Sequence, residues 1–133
     1  LAFGEWEGLS VAEINLHYPD ELKKRLKNIE QFRVEGGESF FQLKDRVIPK
    51  FKEIILRHPC DSVVILCHGG VIRTILAHVL EISTKNLFRI NQSYSSINII
   101  QFYEEGDPVV ELMGGSYKNI HPFHSPNKKI SIQ

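Results

Sequence analysis

The sequence predicts an α/β fold in which helices alternate with strands and an antiparallel hairpin closes the sheet. The run Ser62 to Cys67 is rich in β-branched residues and has apolar residues on both faces, which is typical of a strand covered on two sides by helices. Apolar residues at helical spacing precede and follow this run. Ile97 to Tyr103 and Val109 to Met113 are predicted as further strands, and the turn Glu104 to Pro108 between them favours a hairpin.

The first half of the chain is predicted to be mainly helical. Between Leu9 and Leu26 the apolar positions predict two short helices, capped by Ser10 and Asp20. A longer helix begins after Ser39, whose hydroxyl is a good N-cap, and it includes Pro49. Because proline removes one backbone hydrogen bond and crowds the preceding turn, we expect a kink there and not a break.

The elements after the central strand are shorter. Gly69 and Gly70 precede a helical apolar pattern, and Ser83-Thr84 can cap a second short helix. Residues 1–115 are therefore expected to form a single domain. The tail from Ser116 to Gln133 is polar and rich in Pro, Asn and Lys, and it is predicted to be a C-terminal surface extension.

The composition excludes several classes of partner. The 133 residues contain 16 Lys and Arg and 16 Asp and Glu, so no global field favours nucleic acid or an anionic membrane surface. No apolar run approaches the ~20 residues that span a bilayer. Two cysteines are too few for a disulfide framework, and a reducing, cytoplasmic setting is expected. The chain opens with Leu1 and not Met, so its natural N-terminus is expected to lie upstream.

His68 stands where the predicted strand ends and a helix begins, at the kind of crevice where open α/β sheets bind ligands. Gly69 and Gly70 allow close approach to the backbone, and the first helix amides, at Val71, point toward the same space. With the helix dipole, this corner favours a phosphate or a carboxylate. A histidine beside such an anion can act as nucleophile, proton donor or cationic clamp on a phosphoryl group. The alternative is a histidine that packs the strand end.

Other reactive side chains suit structural roles better. Cys60, Cys67 and His78 do not fit the spacing of paired zinc ligands, so neither a metal nor a cofactor is expected. Cys67 is predicted to be a small core residue. Glu5 and Glu7 could act as general acids, but carboxylates near a helix start more often cap it or pair with an arginine.

Four motifs occur in the order and at the separations found in one family. They are FGEWEG at 3–8, GGES at 36–39, VVILCHGGVIR at 63–73 and SSINIIQF at 95–102. Together they resemble the histidine phosphatase superfamily, in the branch that contains cofactor-dependent phosphoglycerate mutase, the broad-specificity phosphatases and alpha-ribazole phosphatase. The resemblance covers nearly all of residues 1–115. It implies a three-layer αβα sandwich with a mostly parallel sheet, and a phosphatase that hydrolyses small phosphate monoesters, alpha-ribazole phosphate among them, through a phosphohistidine.

The resemblance also implies roles for individual residues. The second histidine of the family, which helps to bind the phosphoryl group, maps onto His68, and the amide of Gly69 would lie against the phosphate oxygens. Gly37, Glu38 and Ser39 correspond to a segment near the substrate pocket of relatives. The Trp-Glu-Gly of the first motif matches the phosphatase form more closely than the mutase form, which favours hydrolysis over transfer.

One motif of the family is missing from the sequence. No Arg-His-Gly occurs, since the only Arg-His pair, Arg57-His58, is followed by Pro59. The resemblance therefore implies that the nucleophilic histidine, the clamping arginine, the proton-donor glutamate and the central first strand lie upstream of Leu1, and that this chain alone is inactive. A phosphoglycerate mutase and a non-catalytic phosphate-binding module remain alternatives. Unpaired strand edges favour a homodimer or strand exchange with another chain.

Overall fold

The computed structural model describes residues 1–116 and 129–132. The chain divides into two compact units, Leu1–Arg46 and Val47–Gln133. None of the helices in the described ranges is long and apolar enough to cross a membrane. The elements, in chain order, are a 3₁₀ helix (Gly4–Trp6), α1 (Val11–His17), α2 (Pro19–Lys27), α3 (Phe40–Arg57), β1 (Val63–Ile65), α4 (Gly69–Val79), a second 3₁₀ helix (Thr84–Arg89), β2 (Ile97–Gln101), β3 (Val109–Gly115) and β4 (Lys129–Ile132).

The two short helices of the first unit begin in different ways. Ser10 caps α1 as predicted, in a capping box where its hydroxyl accepts from the Glu13 amide and the Glu13 carboxylate accepts from the Ser10 amide. The predicted cap of α2 at Asp20 is wrong. This helix begins at Pro19, two residues before the start that a cap at Asp20 implies, because proline has no N–H to satisfy and its fixed φ suits the first helical position.

The core of the first unit is built around the only tryptophan. Trp6 is 3% exposed and packs with Ile14 and Val34. Its ring centroid lies 5.7 Å from that of Phe32, and the Arg25 guanidinium lies 5.8 Å from the centroid of the Trp6 ring. These contacts join the opening 3₁₀ helix to α2 and to the loop before α3, so the first motif is part of the core of this unit.

Helix α3 starts with a second capping box. The Ser39 hydroxyl accepts from the Gln42 amide at 3.2 Å, and the Gln42 side chain accepts from the Ser39 amide at 2.9 Å. Ser39 is therefore the N-cap that the sequence predicts. The helix continues past Pro49 to Arg57 without a break, also as predicted.

The α/β class and the C-terminal antiparallel hairpin are confirmed. The strand order is β1-β4-β2-β3, with β2 and β3 antiparallel and joined by the predicted turn. Among the described strands the sheet is mixed: β1 and β4 are parallel, whereas β2 is antiparallel to both of its neighbours. The mostly parallel sheet expected from the resemblance is therefore not what these strands form, because two of their three pairings are antiparallel.

Strand β4 lies in the segment that the sequence predicts to be a polar surface extension. Lys129–Ile132 is placed between β1 and β2, in parallel register with β1 from Val63 opposite Ile130 to Ile65 opposite Ile132. Strand β4 therefore takes a central position among the described strands. Its four residues alternate polar and apolar, a pattern too short to distinguish from a polar tail in the sequence.

Strand β1 is less buried than the sequence predicts. It covers three residues where six are expected, and Val64 and Leu66 are 67% and 82% exposed, whereas Val63 and Ile65 are half-buried. The prediction of burial on both faces is therefore wrong for the described residues. The physical reason is position, because β1 lies at the edge of the sheet and only one of its faces is covered.

Helix α4 supplies the apolar face that follows this strand. Ile72, Ile75 and Leu76 are buried, and the helix packs against the second 3₁₀ helix and against β3. The buried residues recur at helical spacing, and Ile72 is the one that lies in the first turn of α4. The first turn of α4 is therefore held in place by its own core contacts.

Candidate functional site

The structure places His68 at the strand-to-helix corner that the sequence predicts. Strand β1 ends at Ile65, and His68 is the extended N-cap residue of α4, with φ −86° and ψ 155°. Among the described residues its side chain makes no capping hydrogen bond, and it is exposed. The imidazole is therefore available to a ligand, next to backbone amides of the first helical turn that have no partner within the helix.

His68 opens into a cleft of about 740 Å³ in the second unit. The cleft lies between the start of α4 and the loop before β2, so backbone from two directions forms its walls. The side chains in its lining carry positive or no formal charge, with no Asp or Glu among them, so the cleft suits an anion. Its lining residues are Leu66, Cys67, His68, Gly69, Ile72, Arg73, Gln92, Ser93, Tyr94, Ser95, Ser96 and Ile97.

Arg73 brings a fixed positive charge to the corner. Its Nε donates to the carbonyl oxygen of Ile90 at 2.8 Å, and its guanidinium lies 5.4 Å from the centroid of the Phe88 ring. A Cβ added at Gly69 would lie only 3.0 Å from Nη1 of Arg73. The absence of a side chain at Gly69 therefore leaves room for the guanidinium to lie across the first turn of α4.

This placement of Arg73 favours an anion for electrostatic reasons. The N-terminus of a helix carries a partial positive charge, so a guanidinium beside it is repelled unless a negative group lies between them. The hydrogen bond to Ile90 and the contact with Phe88 hold the arginine there. A phosphate would accept from the guanidinium and from the free amides, as anions do at helix N-termini.

Sequence reasoning missed Arg73, although one signal was present. Arg73 follows Gly69 by four residues, and residues at this spacing lie on the same face of a helix. An arginine one turn after a glycine at a helix start is therefore positioned over that start. The interaction that holds the guanidinium, its hydrogen bond to a carbonyl 17 residues away, could not be read from local spacing.

The loop that forms the opposite wall is held by a pair of amide side chains. Gln92 and Asn98 exchange two hydrogen bonds of 2.9 Å, and the Ser96 hydroxyl donates to Gln92 at 2.8 Å. Asn98 is fully buried and also accepts from the amide of Gly114 in β3 at 2.8 Å. The network joins the cleft wall to the hairpin, so the position of the loop depends on the sheet.

Removing this amide network is expected to destabilise the protein. Asn98→Leu keeps the side-chain size but leaves Gln92 and the Gly114 amide without their partner, and we expect a loss of about 3 kcal/mol of unfolding free energy. The control is Asn28→Leu, because Asn28 is exposed and its side chain bonds to nearby Gln31. This substitution should change the unfolding free energy by no more than about 0.5 kcal/mol. Denaturant unfolding of both variants measures the difference, and equal losses would contradict the role of the network.

The second group of predicted site residues lies in the first unit, where each residue has a structural partner. Gly37 packs so closely against the opening segment that an added Cβ would lie 3.0 Å from the carbonyl oxygen of Ala2. Glu38 forms a bidentate ion pair with Arg46 at 2.6 and 3.1 Å. Ser39 caps α3. His68 and Gly69 thus lie together in the second unit, and the three residues of this loop lie together in the first.

The Glu38–Arg46 pair makes stability depend on pH. Hydrogen bonds from the Arg46 guanidinium hold the pKa of Glu38 below its usual range. A carboxyl whose pKa is lowered on folding stabilises the protein above its unfolded pKa, about 4.3, and this contribution is lost as the pH falls through the folded pKa. Glu38→Gln should therefore lower the unfolding free energy by about 1 kcal/mol at neutral pH and have no effect at the acid end.

The matched control for this pH dependence is Glu53→Gln. Glu53 also pairs with basic side chains, Lys50 and Arg57, but it is more exposed than Glu38. Its substitution should therefore change the unfolding free energy less than Glu38→Gln does at neutral pH. The two variants are compared by urea unfolding across the acid range. A Glu38→Gln loss that persists below the folded pKa would rule out the ion pair as its cause.

The residues weighed as alternative nucleophile or metal ligands do not form a reactive site. Burial raises the pKa of the Cys67 thiol, which disfavours the thiolate that attacks a substrate or binds zinc. Cys60 is exposed and also free. In the part of the chain that the structure describes, no three His, Cys, Asp or Glu side chains are arranged to hold a metal ion.

Known proteins share the sequence pattern of this chain. The family model of the histidine phosphatase superfamily (branch 1) matches residues 1–114. Bifunctional protein Rv2228c of Mycobacterium tuberculosis is 32% identical over 111 residues, which are 84% of this chain and 30% of that protein. Phosphoserine phosphatase 1 of Hydrogenobacter thermophilus is 23% identical over 109 residues, which are 82% of this chain and 52% of that protein.

The fold is also shared with a solved structure. Bacillus stearothermophilus YhfR superposes with a TM-score of 0.76 at 24% identity, covering 86% of this chain and 56% of that one. The chain therefore spans from under a third to about half of the length of these relatives. The family match includes both the opening motif and the His68 corner. The chain belongs to the histidine phosphatase superfamily, branch 1.

Proposed function

We propose that the protein is a phosphatase that hydrolyses small-molecule phosphate monoesters through a phosphohistidine intermediate. The observation that carries this proposal is the charge arrangement at the start of α4. There the Arg73 guanidinium lies over Gly69 beside His68, in a cleft whose lining has no carboxylate. Membership of the superfamily and the likeness to a named phosphoserine phosphatase support the same reaction class.

Each residue of the corner has a distinct role in this reaction. Arg73 neutralises the charge of the phosphoryl oxygens, and the amide of Gly69 donates a hydrogen bond to one of them. His68 donates a second hydrogen bond from its imidazole, which gains strength as negative charge develops in the transition state. Gly69 also allows the phosphoryl group to approach the backbone, because it has no side chain. A side chain there would also meet the Arg73 guanidinium.

The attacking histidine is expected to come from outside these 133 residues. No Arg-His-Gly occurs in them, and the imidazole of His58 is exposed and hydrogen-bonded to Asp61 at 3.0 Å. We therefore expect this chain alone not to turn over substrate. An Arg-His-Gly in the coding sequence before Leu1 would support the enzyme, whereas a start codon directly before it would support a phosphate-binding module without catalysis.

The experiment for the proposed function is an assay of the complete gene product. Release of inorganic phosphate from 4-nitrophenyl phosphate and from alpha-ribazole phosphate should follow steady-state kinetics without added metal or cofactor. A mutase would instead retain the phosphoryl group on the enzyme and return it to an acceptor. No release from any phosphate monoester would overturn the proposed hydrolysis.

The cell compartment and the partners are also part of the proposal. We place the protein in the cytoplasm because both of its cysteines are free. Its partner is a small phosphorylated substrate, and neither nucleic acid nor a membrane is expected, since the charges of the sequence balance. Alpha-ribazole phosphate is the first substrate to test.

We also propose that this chain self-associates through β1. Among the described strands β1 pairs with β4 alone, so its outer edge has free backbone groups next to the exposed side chain of Val64. A second copy can pair with this edge about a two-fold axis. Strand exchange with another chain would also produce a dimer. Crosslinking between the β1 strands of two copies distinguishes edge pairing from strand exchange.

A charge on the β1 edge is expected to reduce this association. Val64→Lys should raise the dimer dissociation constant by roughly tenfold, since a charged edge residue disfavours strand pairing. Leu16→Lys is the control, because Leu16 is similarly exposed but lies on α1. Sedimentation velocity over a range of concentrations measures the difference. A wild-type chain that remains monomeric throughout would contradict the proposal.

A further inference from the structure

The guanidinium of Arg73 is hydrogen-bonded at one end only. Its Nε donates to the carbonyl oxygen of Ile90 at 2.8 Å, and among the described residues neither of its Nη nitrogens donates a hydrogen bond. The ion pairs of the described ranges also leave Arg73 out, so no carboxylate neutralises its charge there. Arginine carries its N–H donors in a planar fork. The Nε–H is therefore used by the protein, and the Nη–H groups are left for a ligand.

The other end of this fork lies beside the start of α4. Gly69 is the first residue of the helix, and a Cβ added there would lie 3.0 Å from Nη1 of Arg73. The amides of the first helical turn have no partner within the helix. Nη1 and these amides are therefore donors to the same space. An anion bound there meets the Nη nitrogens and not the Nε–H, because the carbonyl of Ile90 already accepts from Nε.

The segment that holds the Nε end is anchored in the core. Leu87 and Ile90 are 1% and 3% exposed, and the amide of Ile90 donates to the carbonyl oxygen of Leu87 at 3.1 Å. The second 3₁₀ helix, which contains Leu87, packs against α4. Phe88 lies between these two buried residues, and its ring centroid is 5.4 Å from Cζ of Arg73. Both contacts with the guanidinium therefore come from one anchored segment.

The Phe88 ring restricts a motion that the hydrogen bond to Ile90 leaves open. With Nε bound to a single acceptor, the plane of the guanidinium can still tilt, and this tilt moves the Nη nitrogens away from the helix start. An aromatic face attracts a guanidinium and holds it close to the ring. A side chain that is already ordered loses less conformational entropy when it binds a ligand. The ring can therefore raise the affinity for an anion without touching the anion.

We propose that Arg73 grips the phosphoryl group end-on, with both Nη nitrogens donating to phosphoryl oxygens while Nε stays on Ile90, and that Phe88 is the positioning residue for this grip. The inference rests on the proposed function, which assigns the phosphoryl group to this corner. Lysine presents a point charge and has no fork whose two ends bind different groups. Arg73→Lys should therefore not restore the phosphate affinity that Arg73→Ala loses.

The test follows the Arg73 side chain by ¹⁵N NMR while inorganic phosphate is added to the protein. In the wild type the Nε–H signal should be protected from exchange with water before phosphate is added and should shift little at saturation, whereas the Nη signals should change. Phe88→Ala should weaken phosphate binding by roughly fivefold and speed the exchange of the Nε–H. Phe88→Leu, which is apolar but has no aromatic face, should behave in the same way. Phe88→Tyr should keep the wild-type affinity because the ring remains.

Tyr103→Ala is the matched control, because Tyr103 is another exposed aromatic residue and lies outside the cleft lining. It should bind phosphate as the wild type does. If the wild type binds phosphate and Phe88→Ala binds it equally well, or if the Nε–H signal shifts more than the Nη signals, the end-on grip is overturned and the phosphate site stands. If the wild type does not bind phosphate, the proposed function fails, and this inference fails with it.

Discussion

His68→Ala is expected to lower the kcat of the complete protein for a phosphate monoester by about 10²–10³-fold, the usual cost of removing one donor that stabilises transition-state charge. The imidazole is exposed at the cleft, makes no capping hydrogen bond among the described residues, and lies beside the Gly69 amide. Its contribution therefore appears mainly when charge develops on the phosphoryl group. The loss should be seen in kcat more than in KM.

His58→Ala is the matched control for this experiment. His58 is also exposed, bonds to Asp61 and lies outside the cleft lining, so its removal should leave kcat unchanged. Because both histidines are exposed, neither substitution should change the unfolding free energy by more than about 0.5 kcal/mol. Loss of activity in both variants, or full activity in His68→Ala, would contradict the assigned role of His68.

Gly4→Ala is expected to destabilise the first unit by about 4 kcal/mol or more, among the largest effects of a single substitution. Gly4 has φ +54°, and a Cβ there would overlap the carbonyl oxygen of Glu35 and lie 2.6 Å from the amide nitrogen of Gly37. These neighbours are backbone atoms, which cannot rotate away as a side chain can. The opening segment would therefore separate from the loop that leads into α3.

Gly8→Ala separates packing from backbone conformation. Gly8 also has a left-handed φ, +79°, but no atom of the described residues lies within 4 Å of an added Cβ. Its substitution should cost about 1 kcal/mol, the conformational term alone. Urea unfolding followed by the fluorescence of Trp6, the only tryptophan and a core residue of this unit, measures both variants. Equal losses would contradict the close approach at Gly4.

The elements that the sequence predicted well have strong local signals. Ser10 and Ser39 lie three residues before a Glu and a Gln, the spacing of a capping box, and both cap helices. The corner at His68 was predictable for a similar reason, since an apolar β-branched run ends directly before two glycines and a helical pattern. In each case a few adjacent residues determine the local backbone conformation.

The features that the sequence did not reveal depend on distant contacts. Arg73 is held over Gly69 by a carbonyl on another element, and the amide pair of Gln92 and Asn98 forms only when the loop before β2 folds back on that strand. The exposure of Val64 depends on which elements cover β1. None of these contacts leaves a periodic trace in the sequence, so tertiary structure alone reveals them.

The most direct test of the account is a titration of the protein with inorganic phosphate, followed by the amide and imidazole signals in NMR spectra. We expect saturable shifts at His68 and Gly69 and at the loop from Gln92 to Ser96, and we expect Arg73→Ala to abolish them. The shifts should be unchanged in His58→Ala, which lacks a histidine outside the cleft lining. Saturable shifts located elsewhere, or none at the His68 corner, would contradict the claim that this corner binds a phosphoryl group.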